Sequence, residues 1–157
     1  MGKSMFTEQE VIKAQQAWGN GIVRIGSLKA DVSAAVKAAE EHLDTLYAFE
    51  LGDVLFKPTK CAQVQFRLGK IAALSYFVGG NSDYPEDTGF AINPWTAVRF
   101  ENAAIILEEN RAIAMGNYWF TDLEGNETKV EYTFGYKKDS AGKVKIDLHH
   151  SSIPFSG

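Results

Sequence analysis

Residues 129–153 read Lys-Val-Glu-Tyr-Thr-Phe-Gly-Tyr-Lys-Lys-Asp-Ser-Ala-Gly-Lys-Val-Lys-Ile-Asp-Leu-His-His-Ser-Ser-Ile. Two alternating runs, 129–138 and 143–153, flank Asp139-Ser140-Ala141-Gly142, which has the composition of a hairpin turn. Further back, 112–122 and 96–108 are strand-like, and Leu123-Glu124-Gly125-Asn126-Glu127 joins the third strand of this series to the second. Four long antiparallel strands are predicted, rich in Tyr118, Trp119, Phe120, Tyr132, Phe134 and Tyr136. Strands of this length twist and curl. Alternation sends Ile146, Leu148, His150 and Ser152 to one face of the last strand, and Lys145, Asp147, His149 and Ser151 to the other. The first set runs from apolar residues into an imidazole and a hydroxyl, as an inner face does when it leaves a core for a polar pocket. A bulge near the strand end would reverse the assignment.

The N-terminal half reads differently. Thr7 and Glu10 have capping-box spacing, and they open a helix expected to stop at Gly19-Asn20-Gly21. A second helix is expected from about Ser27 or Asp31 to Phe49, with Val32, Ala35, Val36, Ala39, Leu43, Leu46 and Tyr47 at helical spacing and His42 on its solvated side. Val54 to Phe56 and Cys61 to Arg67 look like short strands, 68–78 like a short helix, and 79–87 like a turn-rich loop able to act as a lid or an oligomer contact. Helices followed by a curled meander give an α+β class, a cone-shaped curved antiparallel sheet with the helices on its concave face. One domain over 1–157 is expected, with a core from about 27 to 154 and a capping helix from about 7 to 18.

Bulk properties narrow the function. The 157 residues are 45% apolar and 23% charged, with a net charge of −4 and no basic run. Nucleic acid and anionic membrane are poor partners for such a surface. Cys61 is the sole cysteine, so neither an intrachain disulfide nor a cysteine metal cage can form; Cys61 reads as a small core residue. The N-terminus lacks the apolar run of a signal peptide, and Phe6 stands where a myristoylation signal after Gly2 needs Ser or Thr. No window is long and apolar enough for a membrane span, which makes the cytoplasm the expected location.

The segments Leu55-Phe56-Lys57-Pro58-Thr59, Ser75-Tyr76-Phe77-Val78-Gly79-Gly80, Pro85-Glu86-Asp87, Gly89-Phe90-Ala91, Val130–Tyr136 and His149-His150-Ser151-Ser152 occur here in order. Together they resemble the iota class of carbonic anhydrases, within the nuclear-transport-factor-2-like fold that also includes ketosteroid isomerases and the association domain of calcium/calmodulin-dependent kinase. The likeness runs from about Ala30 to Pro154. It implies hydration of carbon dioxide to bicarbonate in a pocket lined by a threonine, a tyrosine, a histidine and a serine, in some members without a metal. On this chain those fall on Thr59, on Tyr76 and on one alternate pair of the final motif. Alternation favours His150 with Ser152 over His149 with Ser151. The resemblance also implies a homodimer or larger assembly through the outer face of the sheet, which on the same alternation carries Lys145, Asp147 and His149.

The residue inventory bears on the metal independently. Zinc hydration sites use three protein ligands and an open position. His42 on a solvated helix face, two diverging strand histidines and a lone cysteine do not make such a set, although a weakly held carboxylate-bound ion stays open. Without a cofactor, the expected chemistry is a histidine base with Thr59, Tyr76 and Ser152 hydroxyls orienting water and bicarbonate. The expected apolar walls are Phe66 or Phe56, Leu148, and Tyr132 or Phe134. Two other readings compete: a non-catalytic binding or oligomerisation module of the same fold, and a ketosteroid-isomerase-like enzyme, which needs a carboxylate inside the cone and a larger cavity. Plain packing roles compete at every position, above all for Trp119, Phe134 and Tyr136.

Overall fold

The computed structural model describes residues 5–157. Gly2 and the start of the N-terminal segment read for targeting signals lie outside that range. Three helices, α1 (Glu8–Ser27), α2 (Val32–Leu46) and α3 (Lys70–Val78), precede or interrupt five strands: β1 (Leu55–Lys57), β2 (Trp95–Leu107), β3 (Arg111–Asp122), β4 (Glu127–Lys138) and β5 (Val144–Ser152). The strands form one sheet in the order β1-β5-β4-β3-β2. All neighbours are antiparallel except β1, which joins β5 in parallel. The predicted meander and α+β class are both present. No helix among the described residues is long and apolar enough to cross a membrane.

Thr7 caps α1 as its spacing predicts, and the reciprocal Glu10 contact is made. The helix does not end at Gly19-Asn20-Gly21 but runs on to Ser27. Those glycines serve close approach instead. A Cβ at Gly19 would sit 3.2 Å from Val98 Cβ on β2, and one at Gly21 would collide with the His42 ring on α2. Each glycine weakens a helix by about 1 kcal/mol relative to alanine, and the close packing of α1 on β2 and α2 that they permit offsets that. Asp31 caps α2. His42 is not solvated: it is 6% exposed, with its ring against Trp18, Tyr47 and Phe77.

The expected strand at 61–67 is an irregular loop. Apart from the Arg67 amide, which donates to the Phe56 carbonyl at 2.7 Å, its backbone is held by side chains. Glu86 accepts from the amides of Ala62, Gln63 and Val64 at 2.8–3.1 Å. Arg67 is wholly buried, makes a two-pronged pair with Asp87 at 2.7 and 2.8 Å, and donates to the carbonyls of Val64 and Ala72. The 79–87 loop is therefore pinned at its end by this clamp, with Ser75 also donating to Asp87.

The decisive irregularity is in β5. Gly135 on β4 pairs with Leu148, and the next residue, Tyr136, pairs with Ile146, so Asp147 is an unpaired extra residue. Such a bulge inverts the alternation beyond it. Ile146, His149 and Ser151 consequently share the inner face, at 1%, 2% and 2% exposure, while His150 is exposed and Ser152 half-buried. Asp147 turns to Arg111, in a two-pronged ion pair at 2.9 and 2.6 Å. Gly135 makes room opposite, since a Cβ there would lie 2.8 Å from Leu148 Cβ. Lys145 is also buried, donating to the Asp44 carbonyl at 2.7 Å. The outward set expected from strict alternation is thus corrected at His149 and Ser151, beyond the bulge.

Candidate active site

The inner face of the sheet, α1 and α3 enclose a small cavity of about 10 Å³ lined by Trp18, Phe56, Pro58, Thr59, Tyr76, Phe77, Phe90, Tyr118, His149 and Ser151. That is about the room of one water-sized sphere and far too small for a steroid-sized substrate. No carboxylate is among its walls. β5 supplies His149 and Ser151, β3 supplies Tyr118, α3 supplies Tyr76 and Phe77, and the turn after β1 supplies Pro58 and Thr59.

Thr59 and Tyr76 both line this cavity. The histidine and serine that line it with them are His149 and Ser151, not His150 and Ser152. His150 and Ser152 instead line an open groove on the outer face with Met115, Asn117, Glu131 and Thr133, and Ser152 donates to Glu131. Of the expected walls only Phe56 is present. Phe66 is 62% exposed, Leu148 belongs to an outer apolar groove, and Tyr132 and Phe134 lie in the core beside the cavity rather than on its lining. Trp119 leaves the expected core as well, taking Arg99 over its ring at 4.1 Å.

His149 is the centre of a buried polar chain. Trp18 Nε1 donates to the Tyr47 hydroxyl at 2.9 Å, and that hydroxyl lies 2.8 Å from His149 Nδ1. On the other side His149 Nε2 is 3.1 Å from the Tyr118 hydroxyl, which meets Ser151 Oγ in a short contact, and Ser151 in turn reaches the Glu131 carbonyl at 3.4 Å. An indole can only donate and a carbonyl can only accept. One orientation therefore satisfies every donor along the chain: Tyr47 donates to Nδ1, Nε2–H donates to Tyr118, Tyr118 to Ser151, and Ser151 to Glu131. The opposite tautomer, with Nδ1–H donating to Tyr47, leaves the Tyr47 proton in need of an acceptor.

The environment keeps this imidazole neutral. Its ring is stacked between Phe134 at 4.0 Å and Phe56 at 4.8 Å. Burial pushes the His149 pKa well below the usual 6.5, with His42 and His150 adding repulsion. Burial likewise raises the Tyr76 and Tyr118 phenols far above 10. For Tyr76 the Lys60 amide, 3.3 Å away, and the Thr59 hydroxyl pull back slightly, and for Tyr118 Ser151 does so. All the cavity hydroxyls are thus donors as well as acceptors at neutral pH. Burial raises the Cys61 thiol to about 11, which makes it inert. Among the described residues no three His, Cys, Asp or Glu side chains are grouped to hold a metal ion.

Strict alternation hides His149 and Ser151, because a bulge leaves little trace in sequence. Tyr47 and Tyr118 are visible as inward residues of α2 and β3, but nothing local marks them as polar partners.

A cone-shaped α+β sheet closed over a small hydroxyl-lined cavity places the protein among nuclear-transport-factor-2-like folds, and solved structures agree. A Xanthomonas campestris protein assigned as a calcium/calmodulin-dependent protein kinase II association domain superposes with a TM-score of 0.62 at 21% identity, over 97% of this chain and 91% of its own. A Pseudomonas putida protein of this fold gives 0.57 at 17%, over 95% and 87%. Those likenesses concern the fold alone. Within it, the profile of the metal-independent carbonic anhydrases matches residues 9–153. A metal-independent carbonic anhydrase of Nostoc is 44% identical over 153 residues, 96% of this chain and 75% of that protein. The crystal structure of a cyanobacterial iota-carbonic anhydrase complexed with bicarbonate superposes with a TM-score of 0.95 at 41% identity, over 100% of this chain and 98% of that one. The chain belongs to the metal-independent, iota-class carbonic anhydrases.

Proposed function

We propose that the chain hydrates carbon dioxide reversibly in the cavity of Thr59, Tyr76, Tyr118, His149 and Ser151. The observation that carries this reading is the composition of that small cavity: four hydroxyls and one neutral imidazole set against the apolar faces of Phe56, Phe77 and Phe90. The apolar side suits an uncharged, linear substrate. The hydroxyls suit the negative charge that develops on its oxygens as a water oxygen bonds to the carbon and one C=O π bond opens. The proton that leaves the attacking water is passed through the Ser151 and Tyr118 hydroxyls to His149 Nε2; for this the chain turns over from its resting orientation to the tautomer with hydrogen on Nδ1, in which Ser151 donates to Tyr118 and Tyr118 to Nε2. A buried imidazolium is expensive, so His149 acts as a conductor: uptake at Nε2 is coupled to release from Nδ1 towards Tyr47. The bicarbonate bound by the cyanobacterial relative is the expected product here.

Stopped-flow hydration by protein stripped of metal with a chelator tests this. Activity is expected to persist, and full loss restored only by an added ion would overturn the metal-free reading. We further propose a homodimer through the outer sheet face, whose centre is now Met115, Thr133, His150 and Ser152 rather than His149. Light scattering should return about twice 17.3 kDa, and a particle of 17.3 kDa at micromolar concentration would refute it.

A further inference from the structure

Proton transfer out of the cavity needs an exit, and a second buried histidine lies near the polar chain. His42 on α2 lies outside the cavity, and its Nε2 is fully buried and has no hydrogen-bond partner among the described residues. Its ring centroid is 5.9 Å from that of Trp18 and 6.3 Å from that of Tyr47, the two residues through which the polar chain reaches His149 Nδ1. The opposite edge of the same ring lies against Gly21 and lines a groove between α1 and α2, with Arg24, Glu41 and Thr45 around it. Arg24 and Glu41 form an exposed ion pair at 3.0 Å. One imidazole therefore spans the wall between the aromatic cage and a solvent-facing groove.

Two further points set it apart from a packing residue. A buried nitrogen without a partner is costly, about 1–3 kcal/mol, and a phenyl ring at this position would avoid that cost. In the His149 tautomer with hydrogen on Nδ1, the Tyr47 hydroxyl accepts from both Trp18 and His149, and its one O–H is then without an acceptor. When His149 releases its Nδ1 proton to Tyr47, the Tyr47 proton must move on; Nε2 of His42 is the unpartnered acceptor of the neighbouring ring, outside direct hydrogen-bond contact with Tyr47, so the transfer requires a side-chain shift or a bridging water.

We propose that His42 carries the product proton from the Tyr47–His149 chain to the α1–α2 groove, one proton joining Nε2 as another leaves Nδ1 for a groove water. Only N–H and O–H bonds form or break, and no oxidant or cofactor is involved. Burial holds the His42 pKa near 3, so the ring relays protons rather than storing them. The glycine at 21 has its reason here too, since any side chain would displace the imidazole from the groove wall.

The inference rests on the hydration reading, and its test separates the two. Hydration kinetics are measured in low and high buffer for the wild type, His42→Phe, and His42→Ala with and without added imidazole. The expected result is an active wild type and a His42→Phe protein whose kcat falls by about tenfold or more in low buffer and recovers in high buffer. Its kcat/KM should stay within about twofold, because carbon dioxide conversion precedes the exit step. Should the Phe variant fail to fold, the Ala variant decides, with imidazole expected to restore kcat. Unchanged kcat in low buffer, or equal loss of kcat and kcat/KM that neither buffer nor imidazole relieves, would overturn the relay. An inactive wild type would instead overturn the hydration reading itself.

Discussion

The Tyr47 hydroxyl lies 2.8 Å from His149 Nδ1 while also accepting from Trp18 Nε1 at 2.9 Å. One phenol, placed by the last turn region of α2, thereby orients an imidazole that belongs to β5, 102 residues further along the chain. The tautomer of His149 is set from outside the cavity.

Replacing Tyr118 by Phe cuts the chain between His149 Nε2 and Ser151. Two buried polar groups lose a partner, so unfolding in urea should show a stability loss of about 1–3 kcal/mol. The hydration rate should fall by about a hundredfold, the scale for removing one donor from a preorganised site. A variant with wild-type kcat would show that the cavity works without this link.

Acid should destabilise the protein earlier than its carboxylates alone would require. His42, near 3, and His149, well below 6.5, are both neutral when folded, whereas in the unfolded chain they titrate near 6.5. Below 6.5 the unfolded state binds protons that the folded state refuses, so stability present above that pH is lost as pH falls, down towards the folded values. Two such groups amount to about 2–3 kcal/mol between pH 7.5 and 5.5. Urea midpoints at the two pH values measure it, and His42→Phe should lose roughly half as much. Equal stability at both values would contradict the buried, neutral assignment.

Asp87→Ala should be among the more damaging single substitutions. It leaves the Arg67 guanidinium buried without its two-pronged partner and frees Ser75. Loss of one member of a buried pair costs about 3–5 kcal/mol, readable as a drop in the denaturation midpoint. Because Arg67 also donates to Val64 and Ala72, the 58–67 loop that carries Thr59 should become susceptible to proteolysis. A wild-type midpoint would show that the clamp is dispensable.

Legibility in the sequence follows the range of the interactions. Caps at Thr7 and Asp31, the hairpin turns and the four long strands are local, and their signals lie within a few residues. Thr59 and Tyr76 emerge from short segments shared with a family. The run through Gly19-Asn20-Gly21 misleads because a glycine that ends a helix and one that lets His42 approach are the same residue, distinguished only by what packs beside it. Arg67 looks like the end of a strand because its partners, Asp87 and Glu86, lie about twenty residues away. The inward histidine is misassigned for one reason, the extra residue at Asp147, and that single bulge moves both His149 and Ser151 to the cavity side.

The central claim is that the imidazole inside the cone, and not its exposed neighbour, carries the chemistry. The most direct measurement is the stopped-flow hydration rate of His149→Gln set against His150→Gln, both checked for folding. His149→Gln should be slower than wild type by about a hundredfold or more, and His150→Gln should stay within about twofold, because its side chain lies outside the cavity. Wild-type activity in His149→Gln, with the loss appearing in His150→Gln, would contradict the account.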